Sequence, residues 1–489
     1  MESDTAETRE APGAVLAEHQ RVGPVLFFRG HDGVRLHLMA LMAVSADDAS
    51  LEVAAGSDAV EPVLLYQSSG ICVHGYSFSL PADEGGTYTV NGDEYFVAGI
   101  PDGDVRLAYV ACNGLEQGDR ERDLDERNVL WKRLAEQHRS VPFHLLLHGG
   151  DQLYADEMLD VHASVRSWAN GGPDDGEEVA FVSALLRELL LRRYLELYSQ
   201  RDPAWLLARV PSLCMWDDHD ICDGWGSLPA RQLDAAIGQA VFRVAREMFM
   251  VFQLGSPPDE PPPACPDRTG RNLTWAVTLP GVSLVAPDLR SERRPERVMG
   301  ETGWRAFQEG LDRANGDRVF VLSSVPALGP RLSWVELAMH ITPGAQKYED
   351  DLRDQWQSRW HRHEWRRFLS AMLAVHERDE SPVTVLSGEI HLATRATMAA
   401  KAGPLHQLVS SGITHPPPPR AYARALGWLA RLGEAPLTDH PIRLHPLPGQ
   451  RTVYTPQRNY LVLQRSSGRW LAWWELEEDG ATPPLALDV

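Results

Sequence analysis

Mainly apolar runs that each end in a side chain able to hold a cation recur along the middle of this chain. Val105-Arg106-Leu107-Ala108-Tyr109-Val110-Ala111 leads into Cys112. Residues 143–147 lead into His148-Gly149-Gly150-Asp151-Gln152-Leu153-Tyr154, and residues 383–386 into Ser387-Gly388-Glu389-Ile390-His391. Residues 206–210 and Pro211 precede Met215-Trp216-Asp217-Asp218-His219-Asp220-Ile221-Cys222-Asp223-Gly224-Trp225-Gly226. A short run with no polar alternation has no face for water, so it reads as a strand buried on both sides. Helical spacing at 123–139 (Val129, Leu130, Leu134 and Ala135) separates the first two runs. Strand, helix, strand with polar residues at the strand ends is an α/β layer. Ligands of such sheets bind outside the carboxyl ends of the strands, so Cys112 and Asp151 are expected to face one pocket.

The densest stretch places four carboxylates and an imidazole between Asp217 and Asp223. Hard oxygen ligands with one histidine suit a divalent or trivalent metal. A charge run taken alone is as often a wetted face; the other strand ends tip the balance. Glu389 and His391 are two apart and share one side of an extended segment. Asp151 has two oxygens with which to bridge two ions.

The rest of the chain narrows the class. A net charge of -21 over 489 residues excludes a nucleic-acid grip, which needs a cationic footprint. No apolar run reaches the roughly 18 to 20 residues of a membrane span. The acidic start is no secretory signal, and five scattered cysteines without CxxC spacing read as reduced thiols, so a cytoplasmic address is expected. Residues 1–22 read as a leader. Residues 23–104 carry short alternating strands with Gly and Asp turns, a β-sandwich. An α/β catalytic domain is expected over 105–425, and a C-terminal extension with a closing hairpin around Ser466-Ser467-Gly468 over 426–489. The pair His361/His363, two apart on a helix, does not share a face and reads as structural.

At the residues quoted above, the chain resembles the PhoD-like alkaline phosphatases of the calcineurin-like metallophosphoesterase superfamily. The matching pieces are Cys112, Gly150 to Asp156, Trp216 to Asp220, Asp288-Leu289-Arg290-Ser291-Glu292-Arg293 and Ser387 to His391, in the family's order. The resemblance implies a four-layer αββα core and a dinuclear metal centre that uses a metal-bound hydroxide on phosphate mono- or diesters, small-molecule substrates. It implies that Asp151 bridges two metals and that Cys112, Tyr154 and His391 join it on one ion, suited to iron. Asp218 and Glu389 would hold the second, which in the family can be calcium; zinc or manganese would also suit the set. His219 matches the histidine beside the leaving group, with Asp220 orienting it; the alternative is that Asp217 and Asp220 simply cap or hydrogen-bond the loop. Arg290 could grip a phosphate oxygen, or pair with Asp288 or Glu292; Asp223 and Arg395 would lie just behind the ligands. Glu389 stands where the family commonly has Asp, one methylene longer. The competing reading is a binding or regulatory protein on a degraded metallophosphatase scaffold, which intact ligands at every strand end disfavour.

Overall fold

In the computed structural model of the chain, which describes residues 15–16, 21–48, 51–101, 103–172, 178–330, 354–378, 381–431 and 433–487, the apolar runs are strands of two facing sheets. Val105–Val110, Leu145–Gly149 and Ser212–Met215 run parallel in the first. Val282–Ala286, Arg318–Ser323, Val383–Ser387 and Leu405–Val409 run parallel, in that order, in the second. Every residue of these seven strands is buried.

Alternation along the strands divides that burial between layers. Leu107, Tyr109, Leu145, Leu147, Leu213 and Met215 meet Leu284, Phe320, Leu322, Leu386 and Leu408 in a core between the sheets. The intervening Ala108, Val110, Leu146 and Cys214 face helices Val179–Ser199 and Ala236–Phe252. Val285, Val319, Val321, Val383 and Val385 face helices Glu301–Arg313 and Arg362–His376 on the opposite outside. The result is the four-layer αββα arrangement, each fully buried Leu, Val or Phe contributing roughly 1.5–3 kcal/mol against the cost of ordering the chain.

The N-terminal strands form a β-sandwich. Arg21–His31, Arg35–Ser45, Ile71–Pro81 and Pro62–Ser68 make one sheet, and Val53–Ala55, Asp58–Ala59, Gly85–Val90 and Asp93–Ala98 the other. Leu26, Phe28, Leu38 and Ala40 pack with Val53, Tyr88, Val90 and Val97 between them. The first of these sheets is continuous with the first of the two facing sheets, because Arg21–His31 pairs in parallel with Ser212–Met215 through Phe27 and Ser212. On the other side the hairpin Asn459–Ser466 and Arg469–Leu476 lies antiparallel to Val105–Val110. The two ends of the chain therefore brace the sheet whose strand ends carry Cys112, Asp151 and Asp218. The expected leader lies almost wholly outside the described residues. Among those described, no helix is long and apolar enough to cross a membrane.

Candidate metal centre

The strand ends of both sheets meet at one rim, and the backbone there is strained. Cys112, Asp151, Glu389 and His391 have φ of 55°, 56°, 66° and 51°. They are four of the eight described non-glycine residues in the left-handed region, so half of this strain sits on sequence-predicted ligands. Each such residue costs on the order of 1 kcal/mol, and strain of this kind clusters where function holds it. Gly150 (φ 106°) brings two loops together: a Cβ there would stand 2.7 Å from the Asp217 Cβ.

Cys112 Sγ lies 3.5 Å from Asp151 Oδ2 and 3.1 Å from Ser411 Oγ. Tyr154 OH lies 3.1 Å from His391 Nε2, and its ring stacks on His219 with centroids 4.4 Å apart. Among the described residues, two triads have ligand atoms within 4.8 Å of one another: Asp151, Asp217 and Asp218, and Asp218, His219 and Asp223. Cys112, His391 and Glu389 stand outside both triads. The first two are tied to the rim through Asp151 and Tyr154, while Glu389 accepts from Gln355 Nε2 at 2.8 and 2.9 Å.

These groups fit a cation better than they fit each other. Asp151 is 1% exposed, and its Oδ1 has no hydrogen-bond partner among the described residues. Burial, with Asp217 second, pushes its carboxyl well above the ordinary range. Burial likewise drives up the Cys112 thiol, the Tyr154 phenol and the Glu389 carboxyl, and it drives the His391 imidazole well down. Four would-be anions held toward their neutral forms, beside a neutral imidazole, are the donors a metal ion would deprotonate and bind.

Four sequence expectations change. Asp220 does not orient His219: its oxygens accept from the backbone N–H of Asp151, Leu153 and Asp217 and from Gln253 Nε2, at 2.7 to 3.0 Å. Asp217 and Asp220 cap the short turn Asp218–Asp220 reciprocally, which turns Asp220 away from the imidazole. The group on the ring is Asp156, whose Oδ2 is 2.7 Å from His219 Nδ1. Arg290 is not free to grip phosphate, and it pairs with neither Asp288 nor Glu292. It is 0% exposed; Nε donates to Asp217 Oδ1, Nη1 to Asp354 Oδ1 and the Trp225 carbonyl, and Nη2 to Asp354 Oδ2 and Asp218 Oδ1. Asp288 instead accepts the backbone N–H groups of Arg290 and Ser291 and the Trp216 indole. Arg395 donates to the Pro446 carbonyl and takes no part in either triad. Asp223 is closer than expected, a member of the second triad.

Sequence reasoning missed Asp156, Asp217, Glu116, Asp354 and His415 as members of this rim. Asp156 lay in plain view, ending the run that begins at Asp151, and Asp217 adjoins Asp218. Asp354, Glu116 and His415 carry no local signal.

The fold and rim set the comparisons in context. A family model described as PhoD related phosphatase matches residues 86–348. Glu389 and His391 lie beyond that match. An uncharacterized protein of Saccharomyces cerevisiae is 22% identical over 383 residues, which are 65% of this chain and 54% of the relative. The chain thus spans about half the length of that curated relative. Among solved structures, that of PhoD aligns over 94% of this chain and 88% of its own, with a TM-score of 0.57 at 12% identity. A purple acid phosphatase from yellow lupin (Lupinus luteus) seeds aligns over 96% and 74%, with a TM-score of 0.51 at 11% identity. At these identities the two structures speak to fold.

Proposed function

The chain belongs to the PhoD-related phosphatases, and from that membership we propose that it is a metal-dependent hydrolase of phosphate mono- or diesters. The observation that carries this reading is Asp151, a buried acid with one oxygen against a thiol and the other unpartnered, beside two more carboxylates. Burying such a group is costly unless a cation answers it.

On this reading Cys112, Asp151, Tyr154 and His391 hold one ion, a thiolate, phenolate and imidazole set suited to iron. Asp151, Asp218 and Glu389, with Asp217 added by its place in the triad, hold a second among hard oxygens, as calcium prefers; zinc or manganese could replace either. When bound, the ions supply a nucleophile at neutral pH and neutralise charge on the phosphoryl oxygens.

The chain's own side chains do the rest. Asp156 fixes His219 through Nδ1, leaving Nε2 to face the substrate. Burial alone would lower the His219 pKa, but Asp156 and Asp218 raise it well above the usual value, so Nε2 holds a proton for the departing oxygen. Tyr154, stacked on the ring, sets its plane. Arg290 holds Asp217 and Asp218 in place from behind.

The test is metal analysis of the purified protein together with hydrolysis of 4-nitrophenyl phosphate and bis(4-nitrophenyl) phosphate. Bound metal and turnover are expected, both lost in Asp151→Ala and Asp218→Ala with unchanged circular dichroism. A wild-type chain that takes up no metal and stays inert after metal addition overturns the reading and leaves a binding scaffold.

A further inference from the structure

Glu116 lies on the loop after Cys112, in neither ligand triad. Its side chain is 44% exposed. Its carboxylate reaches His415 Nε2 at 3.3 and 3.4 Å, and its Oε1 is 4.0 Å from His219 Nε2. Asp156 occupies the other nitrogen of His219, and the Pro416 carbonyl, at 2.7 Å, occupies the other nitrogen of His415. Each ring is therefore anchored by Nδ1, and both remaining nitrogens converge on one carboxylate. Rings wall this seat: His415 stacks on His391 with centroids 3.5 Å apart, and Tyr154 lies between His219 and His415, 4.4 and 5.6 Å from them. A carboxylate edge held between two imidazoles presents the charge and spacing of a phosphate edge.

We propose that Glu116 occupies the seat of a phosphate oxygen and, as a negative charge fixed at the mouth, makes the site select phosphodiesters, which carry one charge, over phosphomonoesters, which carry two. The inference rests on the hydrolase reading above. A substrate must displace Glu116 from both rings, yet the side chain stays on the rim, where its repulsion grows with the charge on the substrate. The arginines nearby do not offset it. All five N–H groups of Arg290 are engaged, and Arg122, which reaches the Thr414 carbonyl, is paired with Asp119 and Glu126. One additional unit charge about 5 Å away, in a medium approaching water, corresponds to about fourfold in affinity.

The experiment compares wild type with Glu116→Gln, which keeps a hydrogen-bonding group toward His415 and removes the charge. Both are assayed at pH 8, where a monoester is a dianion. The first readout is kcat/KM for 4-nitrophenyl phosphate relative to bis(4-nitrophenyl) phosphate; the second is binding of orthophosphate to the protein as purified, by calorimetry. The monoester-to-diester ratio is expected to rise about fourfold and orthophosphate, a dianion at this pH, to bind about 15-fold tighter, with Glu116→Lys moving both further the same way. An unchanged ratio and unchanged orthophosphate affinity overturn the proposal. If wild type hydrolyses neither ester, the hydrolase reading falls and orthophosphate alone decides: tighter binding to Glu116→Gln upholds charge exclusion, and equal binding ends it.

Discussion

Two sides of the Asp217–Asp218 pair deal with buried negative charge in opposite ways. On one side the protein answers it internally. Arg290 spans Asp217, Asp218 and Asp354, and Arg293 reaches Asp354 as well. Burial would raise the Asp354 carboxyl, but the two guanidiniums hold it well below its ordinary range. On the other side, Asp151 and Glu389 face thiol, phenol, amide and imidazole groups, and both carboxyls are pushed up by burial. The density of acids is similar; the compensation is not. A carboxylate cluster by itself says little about metal binding, whereas one with no guanidinium paired to it shows where an ion belongs.

The largest way to break this contrast is to remove the internal cation. Arg290→Met leaves buried Asp217 without a cationic partner and Asp354 with Arg293 alone, and it is expected to lower stability by about 3–5 kcal/mol in denaturant titrations. Arg290→Lys should recover only part of that, because an ammonium cannot match the two-pronged contact with Asp354. Stability like wild type in Arg290→Met would mean that the guanidinium does not balance these acids.

The same contrast explains what could be read in the sequence. The two-sided burial of the strands was legible because residues such as Leu145, Leu146 and Leu147 leave no polar face, and layer assignment followed from alternation. The strand-end groups Cys112, Asp151 and Asp218 were legible because each sits just beyond an apolar run. Partnerships were not. Asp220, next to His219 in the chain, was the natural orienter, but a tight turn sends neighbouring side chains apart and Asp220 is spent on backbone N–H groups. Arg290 was weighed against Asp288 and Glu292, two residues away; its partner Asp354 is 64 residues distant. Glu116 and His415 are 299 apart and meet only because two loops fold over one rim. The single parallel pairing at Phe27 that fuses the sandwich to the catalytic sheet leaves no trace in composition.

A smaller effect separates the imidazole's partner from its chain neighbour. Asp156→Asn removes the charge on His219 Nδ1 while keeping the shape, and it is expected to cut kcat by about 10- to 100-fold with metal content unchanged. Its pH–rate profile should lose activity on the alkaline side earlier than wild type, because Asp156 helps hold the proton on the ring. Asp220→Asn should instead lower thermal stability, since it weakens four hydrogen bonds that tie loops 151–153 and 217–220. A matching loss of kcat in Asp220→Asn at wild-type stability would return the orienting role to Asp220.

The smallest effect sharpens the contrast from the unbalanced side. In protein stripped of metal, Asp151→Asn removes a buried acid with an unpartnered oxygen, so it should stabilise the fold by on the order of 1 kcal/mol at pH 8, where Arg290→Met destabilises it. The sign with pH follows from the raised carboxyl. In the unfolded chain Asp151 loses its proton near its ordinary value of about 4. In the metal-free fold it keeps that proton to higher pH, so the stability linked to it is present at low pH and falls as pH rises toward the raised value. Asparagine does not titrate, so the two proteins should be closest in stability near pH 4 and diverge as pH rises, with the variant the more stable. Adding metal should reverse the order, because the wild type gains an ion that the variant cannot hold tightly. Denaturant midpoints at several pH values, with and without metal, check this. If Asp151→Asn is the less stable protein in the absence of metal, Asp151 is already satisfied by its neighbours and the rim has no unanswered charge.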